Sequence, residues 1–421
     1  MPQTIIEKIF SKHTGKSVKA GDFVIADIDF AFAQDGTAPL AIQAFRKMGG
    51  KRVFSSQKAA LIIDHSAPSP NIGVSELHQL MRDFSRRRNV KLYDVGQGVC
   101  HQLILESGLV LPGDLVIGAD SHTCTYGAIN VASTGVGSTD LASSLISGKL
   151  WFKVPETIKF ILHGKLPAGV MGKDLILYLI GKVSADGATY KSVEFSGEAI
   201  KAISLDGRMA MANMAVEMGA KFGLMEVDEK TRSWIKKQTK KKIYPVKADK
   251  EAKYEKIFEE EVGNLSPQIA KPHRVDNVSP IEKLPKTKID MAFLGTCTGG
   301  RMEDLEAARA ILEGKKIHES VEMIVAPASS RIYLEAVKKG IIADFIKAGA
   351  AVINPGCGPC VGTHAGIPAK GYRVISTANR NFKGRMGNPD AFIYLASPAT
   401  VAASAIEGKI TDPRHYIGNR S

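Results

Sequence analysis

Residues 289–312 read IDMAFLGTCTGGRMEDLEAARAIL, which is an apolar run of strand length, a glycine-rich loop carrying Cys297, and a segment with helical periodicity. The apolar positions of that last segment recur three or four residues apart, at Met302, Leu305, Ala308 and Leu312. A short buried strand followed by a loop and an amphipathic helix is the repeating unit of parallel α/β sheets. This stretch therefore predicts an α/β fold.

The same unit recurs along the chain. VEMIVA (321–326) leads into a segment that Gly340 is expected to end as a helix, and the sequence 206–223 predicts a helix with a glycine stop. Further strands are predicted at ALIID (60–64), VKLYD (90–94), DLVIG (114–118), AAVI (350–353) and YRVIS (372–376). Alternation of strands and helices at this spacing favours mainly parallel sheets.

A chain of 421 residues is long enough for two or three domains. Residues 266–288 contain four prolines and no apolar period, so we interpret them as a linker. We expect a first domain over 1–158 that carries acid-histidine pairs. The second domain is predicted over 159–285 with the linker, and the third over 286–421 with cysteines and arginines.

Composition predicts a globular chain that stays in the cytoplasm. Hydrophobic residues make up 44% and charged residues 24%, and no apolar run approaches the length of a membrane span. The first 16 residues lack the apolar core of a signal peptide, and the odd count of five cysteines argues against a disulfide framework. The net charge of +13 is compatible with an anionic substrate, an acidic partner or nucleic acid. The basic run 236–242 lacks aromatic neighbours and is interpreted as a solvated helix face.

Reactive side chains follow the predicted strands, where parallel sheets bind ligands. Those after strands of the first third are Asp64, His65, His101, Asp120, Ser121 and His122, and those near the C-terminus are Cys297, Cys357, Cys360, Arg380 and Arg385. Histidines beside carboxylates suit proton transfer near neutral pH. Two arginines five residues apart are suited to bidentate binding of carboxylates.

The cysteines allow several interpretations. The pair Cys357 and Cys360 alone could be a redox pair, half of a zinc site or two small buried residues. With Cys297 on another strand-end loop, the three predict a thiolate site for zinc or an iron-sulfur cluster. Three ligands for four irons would leave one iron open to substrate. Cys100 and Cys124 are assigned to packing.

Three motifs together resemble the aconitase superfamily: Asp-Ser-His-Thr at 120–123, Cys-Gly-Pro-Cys at 357–360 and Asn-Arg-Asn-Phe-Lys-Gly-Arg at 379–385. The resemblance implies three α/β/α domains around a 4Fe-4S cluster held by Cys297, Cys357 and Cys360. It further implies the acid-histidine pairs Asp64 with His65, Asp120 with His101, and Glu217 with His122. Substrate contacts are implied for Gln34, Ser121, Arg380 and Arg385, and positions near the cluster for Asn213 and Asn379.

The chain ends soon after the arginine motif, and so resembles the two-subunit branch of the superfamily, in which a separate small subunit carries the swivelling domain. That branch implies a heterodimeric or heterotetrameric hydro-lyase acting on a small hydroxy-carboxylate, with 2- and 3-isopropylmalate of leucine biosynthesis as the expected substrates. Homoaconitase, citraconate or dimethylmalate hydratase activity stays open, as does an RNA-binding role. Gly299 and Gln34 depart from the residues common in the family, asparagine and histidine.

Overall fold

The computed structural model describes residues 1–417, which form three sheets flanked by helices and one two-stranded ribbon. The N-terminal elements are α1 (Ile5–Thr14), β1 (Phe23–Asp27), β2 (Phe30–Gln34), α2 (Ala38–Lys47), β3 (Ala59–Ile62), α3 (Ile72–Arg88), β4 (Lys91–Tyr93), α4 (Cys100–Glu106), β5 (Leu115–Gly118), β6 (Ala132–Gly135), α5 (Ser138–Ser147) and β7 (Lys149–Lys153). Helix α1 begins with a capping box between Thr4 and Glu7 and ends at Gly15, whose φ is 69°.

The first sheet has five parallel strands in the order β4-β3-β2-β5-β6, and β1 pairs with β7 as an antiparallel ribbon. Strands β2, β3 and β5 are buried along their whole length, as expected for a sheet covered on both faces. The strand order reverses between β2 and β5. A crevice beyond the carboxyl ends of the strands is expected at such a reversal, and ligands bind there.

The second sheet has four parallel strands in the order β10-β9-β8-β11. Its elements are β8 (Thr157–His163), α6 (Gly172–Val183), β9 (Ser192–Ser196), α7 (Glu198–Ala202), α8 (Leu205–Met214), β10 (Phe222–Met225), α9 (Glu229–Gln238) and β11 (Lys256–Glu261). Helix α8 continues into a 3₁₀ turn over Ala215–Met218, which ends at Gly219 with φ 88°. This confirms the predicted helix and its glycine stop as far as Gly219, whereas Phe222 and Gly223, at the end of the predicted segment, belong to β10.

The third sheet has seven strands in the order β13-β12-β18-β17-β14-β15-β16. Its elements are β12 (Gln268–Ala270), β13 (Val278–Pro280), β14 (Met291–Gly295), α10 (Met302–Leu312), β15 (Glu322–Ala326), α11 (Ser330–Lys338), α12 (Ile341–Ala348), β16 (Ala351–Val352), β17 (Arg373–Ser376), β18 (Phe392–Leu395), α13 (Pro398–Glu407) and α14 (Arg414–Ile417). Strands β14 to β18 pair in parallel, and the order reverses between β14 and β17. This reversal places a second crevice beside the loops after β14 and β17.

The predicted α/β class with mainly parallel sheets is confirmed, as are the strands expected at the seven apolar runs. The linker prediction for 266–288 needs correction. Residues of this segment form β12 and β13, which pair antiparallel with each other, and β12 also pairs with β18. Extended backbone at a sheet edge tolerates proline, so proline content alone did not exclude strands. The three domain boundaries stay predictions.

Two further features bear on the sequence interpretation. The basic run 236–242 lies only partly on a helix, because α9 ends at Gln238 and the remaining lysines follow it. Thr239 has an extended backbone, which stops the helix. Within residues 1–417, no helix combines the length and the apolar character needed to cross a membrane.

Candidate active site

A cavity of about 710 Å³ lies where the strand-end loops of the first and third sheets meet the turn after α8. Twelve of the residues singled out from the sequence line it: Gln34, His65, His101, Asp120, Ser121, His122, Cys297, Cys357, Cys360, Asn379, Arg380 and Arg385. The other three, Asp64, Asn213 and Glu217, contact these side chains. The two sheet crevices therefore face one another across a single site.

The first acid-histidine contact joins neighbours in the loop after β3. The Asp64 carboxylate is fully buried, and its Oδ1 lies 2.8 Å from Nδ1 of His65. Its Oδ2 accepts the backbone N–H of Cys100 at 2.7 Å. Burial alone would lower the pKa of His65, but Cys357, when it is a thiolate, and the Asp64 and Asp120 carboxylates raise it well above its ordinary value. The imidazole is therefore held ready to carry a proton.

Asp120 joins three side chains at the end of β5. Its Oδ1 lies 2.8 Å from Nε2 of His101, and its Oδ2 lies 3.5 Å from both His65 Nε2 and Gln34 Nε2. Although burial would raise the pKa of Asp120, contact with His101 and His65 holds it well below its usual range. A charged carboxylate thus lies between two histidines, whereas Ser121 next to it is exposed in the cavity.

The third acid-histidine contact spans two sheets. Glu217, in the turn after α8, places Oε1 2.9 Å from His122 Nε2 and 2.7 Å from Arg380 Nε. Burial and then the charge of Arg380 lower the pKa of His122 to about 4, against the opposing effect of Glu217. A pKa this low favours the neutral form of His122 at pH 7.

The three cavity cysteines are buried, and two of them lie against amide side chains. Asn213 donates through Nδ2 to Cys297 Sγ at 3.3 Å, and Asn379 lies 3.8 Å from Cys360 Sγ. Cys357 Sγ lies 3.6 Å from His65 Nδ1. Burial raises the pKa of Cys297 to about 12, so a metal would have to displace the thiol proton, as thiolate ligands require.

The spacing of these thiols bears on what they could hold. Over residues 1–417, the groups of three potential ligands lying within 4.8 Å of one another are Asp64, His65 and Cys357, and His101, Asp120 and His122. Neither group contains two cysteines, whereas two thiolates on one zinc ion lie at most about 4.6 Å apart, twice the Zn–S distance of about 2.3 Å. The three Sγ atoms therefore do not all lie within reach of one zinc ion.

Arg385 offers an unused donor at the cavity. Its terminal nitrogen lies 3.7 Å from Cys360 Sγ, and its Nε is buried without a hydrogen-bond partner among residues 1–417. A guanidinium in that state suits a carboxylate oxygen of a ligand. Arg385 and Arg380 both line the cavity, so two cations face the same space.

Cys100 and Cys124 stay outside the cavity lining. Both are buried, and Cys124 Sγ donates to the backbone carbonyl of Asn213 at 3.2 Å. Burial raises the pKa of Cys124 to about 12. These contacts support the packing role expected from the sequence.

Two buried polar residues near the site were missed by sequence reasoning. Lys173, at the start of α6, is 2% exposed and donates to the backbone carbonyls of Thr377 and Ala378 at 2.9 and 2.7 Å. Asp35 directly follows Gln34 and accepts backbone N–H groups of the His65 loop. The position of Asp35 at the end of a predicted strand was an available signal, whereas nothing local distinguishes Lys173 from a surface lysine.

Gly299 has a steric explanation. A Cβ at this position would lie 2.2 Å from Cβ and Oγ1 of Thr377, whose hydroxyl also accepts the Gly295 N–H at 2.9 Å. Thr377 therefore fills the space that a side chain at position 299 would need, and the departure from asparagine is accommodated locally. Gln34, the other departure, contacts Asp120.

Comparison with known proteins bears on both fold and site. A family model described as the aconitase family (aconitate hydratase) matches residues 7–408. Among solved structures, Thermococcus kodakaraensis aconitase X in its holo form is similar with a TM-score of 0.50 at 12% identity, covering 85% of this chain and 84% of that one. This likeness concerns the fold alone.

Curated relatives are much closer in sequence. The 3-isopropylmalate dehydratase large subunit 1 of Thermotoga maritima is 52% identical over 420 residues, which are 99% of this chain and 100% of that protein. The large subunit of the same name from Caldanaerobacter subterraneus is 50% identical, over 98% and 99% of the two chains. Large subunit 1 from Methanopyrus kandleri is 46% identical, over 99% and 100%. The similarity therefore extends over whole chains.

Proposed function

The chain belongs to the aconitase family, and from that premise we propose that it is the large subunit of a 3-isopropylmalate dehydratase, a hydro-lyase. The observation that carries the proposal is 46–52% identity over essentially whole chains to proteins of that name. The reaction removes a hydroxyl and a proton from adjacent carbons of 2-isopropylmalate. Returning them in exchanged positions gives 3-isopropylmalate, with no net redox change.

The proposed cofactor is a 4Fe-4S cluster held by Cys297, Cys357 and Cys360. The donor set fits it, because three buried thiols face one cavity and do not all lie within reach of one zinc ion. Bound there, the cluster would supply a Lewis-acidic iron that polarises the C–OH bond. Asn213 and Asn379 lie against the thiols, and their amide groups would orient and stabilise the thiolates.

Substrate carboxylates are assigned to the two arginines. Within residues 1–417 the buried Nε of Arg385 has no hydrogen-bond partner, and Glu217 contacts Arg380 through Nε rather than through a terminal nitrogen. Gln34 and Ser121 line the same cavity and are proposed to contact the remaining polar groups of the substrate. A dicarboxylate held at two points has its reacting carbons fixed relative to the histidines.

Proton transfer to the departing hydroxyl is assigned to His65. Its raised pKa keeps a proton on the imidazole, while Asp64 fixes Nδ1 and leaves Nε2 toward Asp120 and the cavity. The contact between His101 and Asp120 stabilises that carboxylate in its charged form. Neutral His122 is proposed to orient Glu217 and thereby Arg380.

A small subunit is proposed to complete the site. Relatives at 46–52% identity are named large subunits, and the cavity opens beside aromatic side chains left in solvent, Trp151 at 59% and Tyr190 at 40% exposed. A partner covering this opening would exclude water and strengthen the electrostatic contacts inside. It would also supply the base that takes the carbon-bound proton.

A panel of hydroxy acids tests the assignment of 2-isopropylmalate as the substrate. The chain is prepared anaerobically with iron, combined with the candidate small subunit, and assayed on 2-isopropylmalate, homocitrate, citramalate and citrate. We expect the highest kcat/KM with 2-isopropylmalate. A preference of at least about tenfold, or 1.4 kcal/mol, for another acid would reassign the chain within the family. Absence of turnover with all four would overturn the proposal.

A further inference from the structure

A single buried carboxylate organises the loop that carries Asp64 and His65. Asp35 is 4% exposed and follows the last residue of β2. Its Oδ1 accepts the backbone N–H of Asp64 at 2.9 Å and of His65 at 2.7 Å, and its Oδ2 accepts the N–H of Ser66 at 2.8 Å. Three consecutive N–H groups of one loop thus converge on one side chain.

This loop connects the acid-histidine pair to a cavity cysteine. The backbone carbonyl of Asp64 accepts the N–H of Cys357 at 2.7 Å, and the carbonyl of His65 accepts the Thr363 hydroxyl at 3.2 Å. The N–H groups on one side of the loop are therefore fixed by Asp35. The carbonyls on the other side are fixed by the segment that contains Cys357.

The fourth contact of Asp35 comes from helix α3. His78 is 2% exposed, and its Nε2 lies 3.4 Å from Asp35 Oδ2. Although burial would raise the pKa of Asp35, contacts with His78, His65 and the loop backbone hold it well below its usual range. The carboxylate stays charged, and hydrogen bonds from N–H groups to a charged acceptor are about twice as strong as neutral ones.

We propose that Asp35 is a positioning residue for the dehydration step: by binding three successive backbone N–H groups, it fixes the His65 imidazole between Asp64 and Asp120. The inference rests on the proposed function, in which His65 delivers the proton. Asp35 does not line the cavity, so it acts through the loop rather than on substrate. Displacement of a catalytic group by about 1 Å can lower the rate about 100-fold.

Asp35→Asn tests this role, because asparagine has the same size but one acceptor oxygen for four donors. Asp29→Asn is the matched control, because Asp29 makes similar contacts outside the cavity. Its Oδ2 lies 2.5 Å from His13 Nε2 and accepts the backbone N–H of Leu115 at 3.1 Å. Both variants are assayed as iron-loaded complexes with the small subunit. Iron content and partner affinity are measured alongside kcat, KM and the pH dependence of kcat/KM.

Asp35→Asn is expected to lower kcat about 100-fold, to change KM by much less and to shift the pH profile, with iron content retained. Asp29→Asn should leave kcat and the profile unchanged. The proposal would be overturned if Asp35→Asn kept the kcat and the pH profile of the wild type. It would also be overturned if kcat fell in both variants only in proportion to their loss of iron.

His78→Asn serves if Asp35→Asn does not fold. It removes the His78 contact and leaves the three backbone bonds, so a fall in kcat of less than about 100-fold with a shifted pH profile is expected. An unchanged profile would count against the role. A crystal structure of Asp35→Asn gives a test independent of activity. His65 should have left Asp64, and an undisturbed contact at 2.8 Å would refute the inference even if the substrate assignment failed separately.

Discussion

Glu217→Gln should disconnect the arginine motif from the histidines. Both contacts of Glu217, to His122 at 2.9 Å and to Arg380 at 2.7 Å, end on the same Oε1. Glutamine preserves the shape and can keep an oxygen at this position, but it removes the negative charge. The variant therefore tests charge rather than packing.

The magnitude follows from an acceptor that loses its negative charge. Bonds to charged groups contribute about 1.5–3 kcal/mol and neutral ones about 0.5–1.5, so the His122 bond loses about 1–1.5 kcal/mol. Arg380 keeps its charge but loses its counter-ion, which for a partly exposed pair costs a similar amount, so the two contacts together lose about 2–3 kcal/mol. Arg380 is 24% exposed, so water compensates part of its lost counter-ion and the cost stays below that of a fully buried pair. A loss of 2–3 kcal/mol corresponds to a fall of about 30- to 150-fold in kcat/KM.

The assay compares kcat/KM of the iron-loaded complex for 2-isopropylmalate in wild type and Glu217→Gln, with iron content measured in both. Glu260→Gln is the matched control, because Glu260 is 8% exposed and contacts Lys182 and the Tyr178 hydroxyl away from the cavity. The control should lose stability without losing kcat/KM at equal iron content. If kcat/KM of Glu217→Gln stays within about threefold, or 0.7 kcal/mol, of wild type, the reasoning is wrong.

Three further outcomes are expected. Serine at any one of the three cavity cysteines should lower iron content and visible absorption, whereas Cys100→Ser should retain both, and equal loss in Cys100→Ser would refute the assignment. Arg385→Lys keeps the charge but loses the planar fork, so kcat/KM should fall by about 2–5 kcal/mol in free-energy terms, and a nearly unchanged value would contradict the carboxylate contact. Burial raises the pKa of Asp114 from 3.8 to about 6, so the folded chain binds the extra proton and loses stability as pH rises through 6. Asp114→Asn should therefore gain up to about 3 kcal/mol in unfolding free energy relative to wild type between pH 4 and 7, and a difference independent of pH would refute this.

Much of the site could be predicted from the residues that directly follow the predicted strands. Buried strands are short apolar runs, and parallel sheets bring the loops after them to one edge, so the cysteine, histidine and arginine loops could be placed together before any coordinates. The contact of Glu217 with His122 joins residues 95 apart in different sheets, and only the family resemblance suggested it.

What the sequence missed depends on tertiary contacts. Lys173 and Asp35 are charged residues whose burial is set by chain segments far away, including the backbone of 377–378 for Lys173. Residues 266–288 read as a linker because strand pairing at a sheet edge leaves little apolar periodicity. The fit of Gly299 against Thr377 likewise becomes visible only when β17 and the loop after β14 lie side by side.

The most direct test measures the isomerisation starting from each of the two acids. The iron-loaded chain and its small subunit are incubated with 2-isopropylmalate or with 3-isopropylmalate, and both acids are quantified by chromatography over time. The account predicts the same final mixture from either acid, with no conversion by either subunit alone or by a complex containing Cys357→Ser. Absence of interconversion in the complete complex, or equal rates with Cys357→Ser, would contradict it.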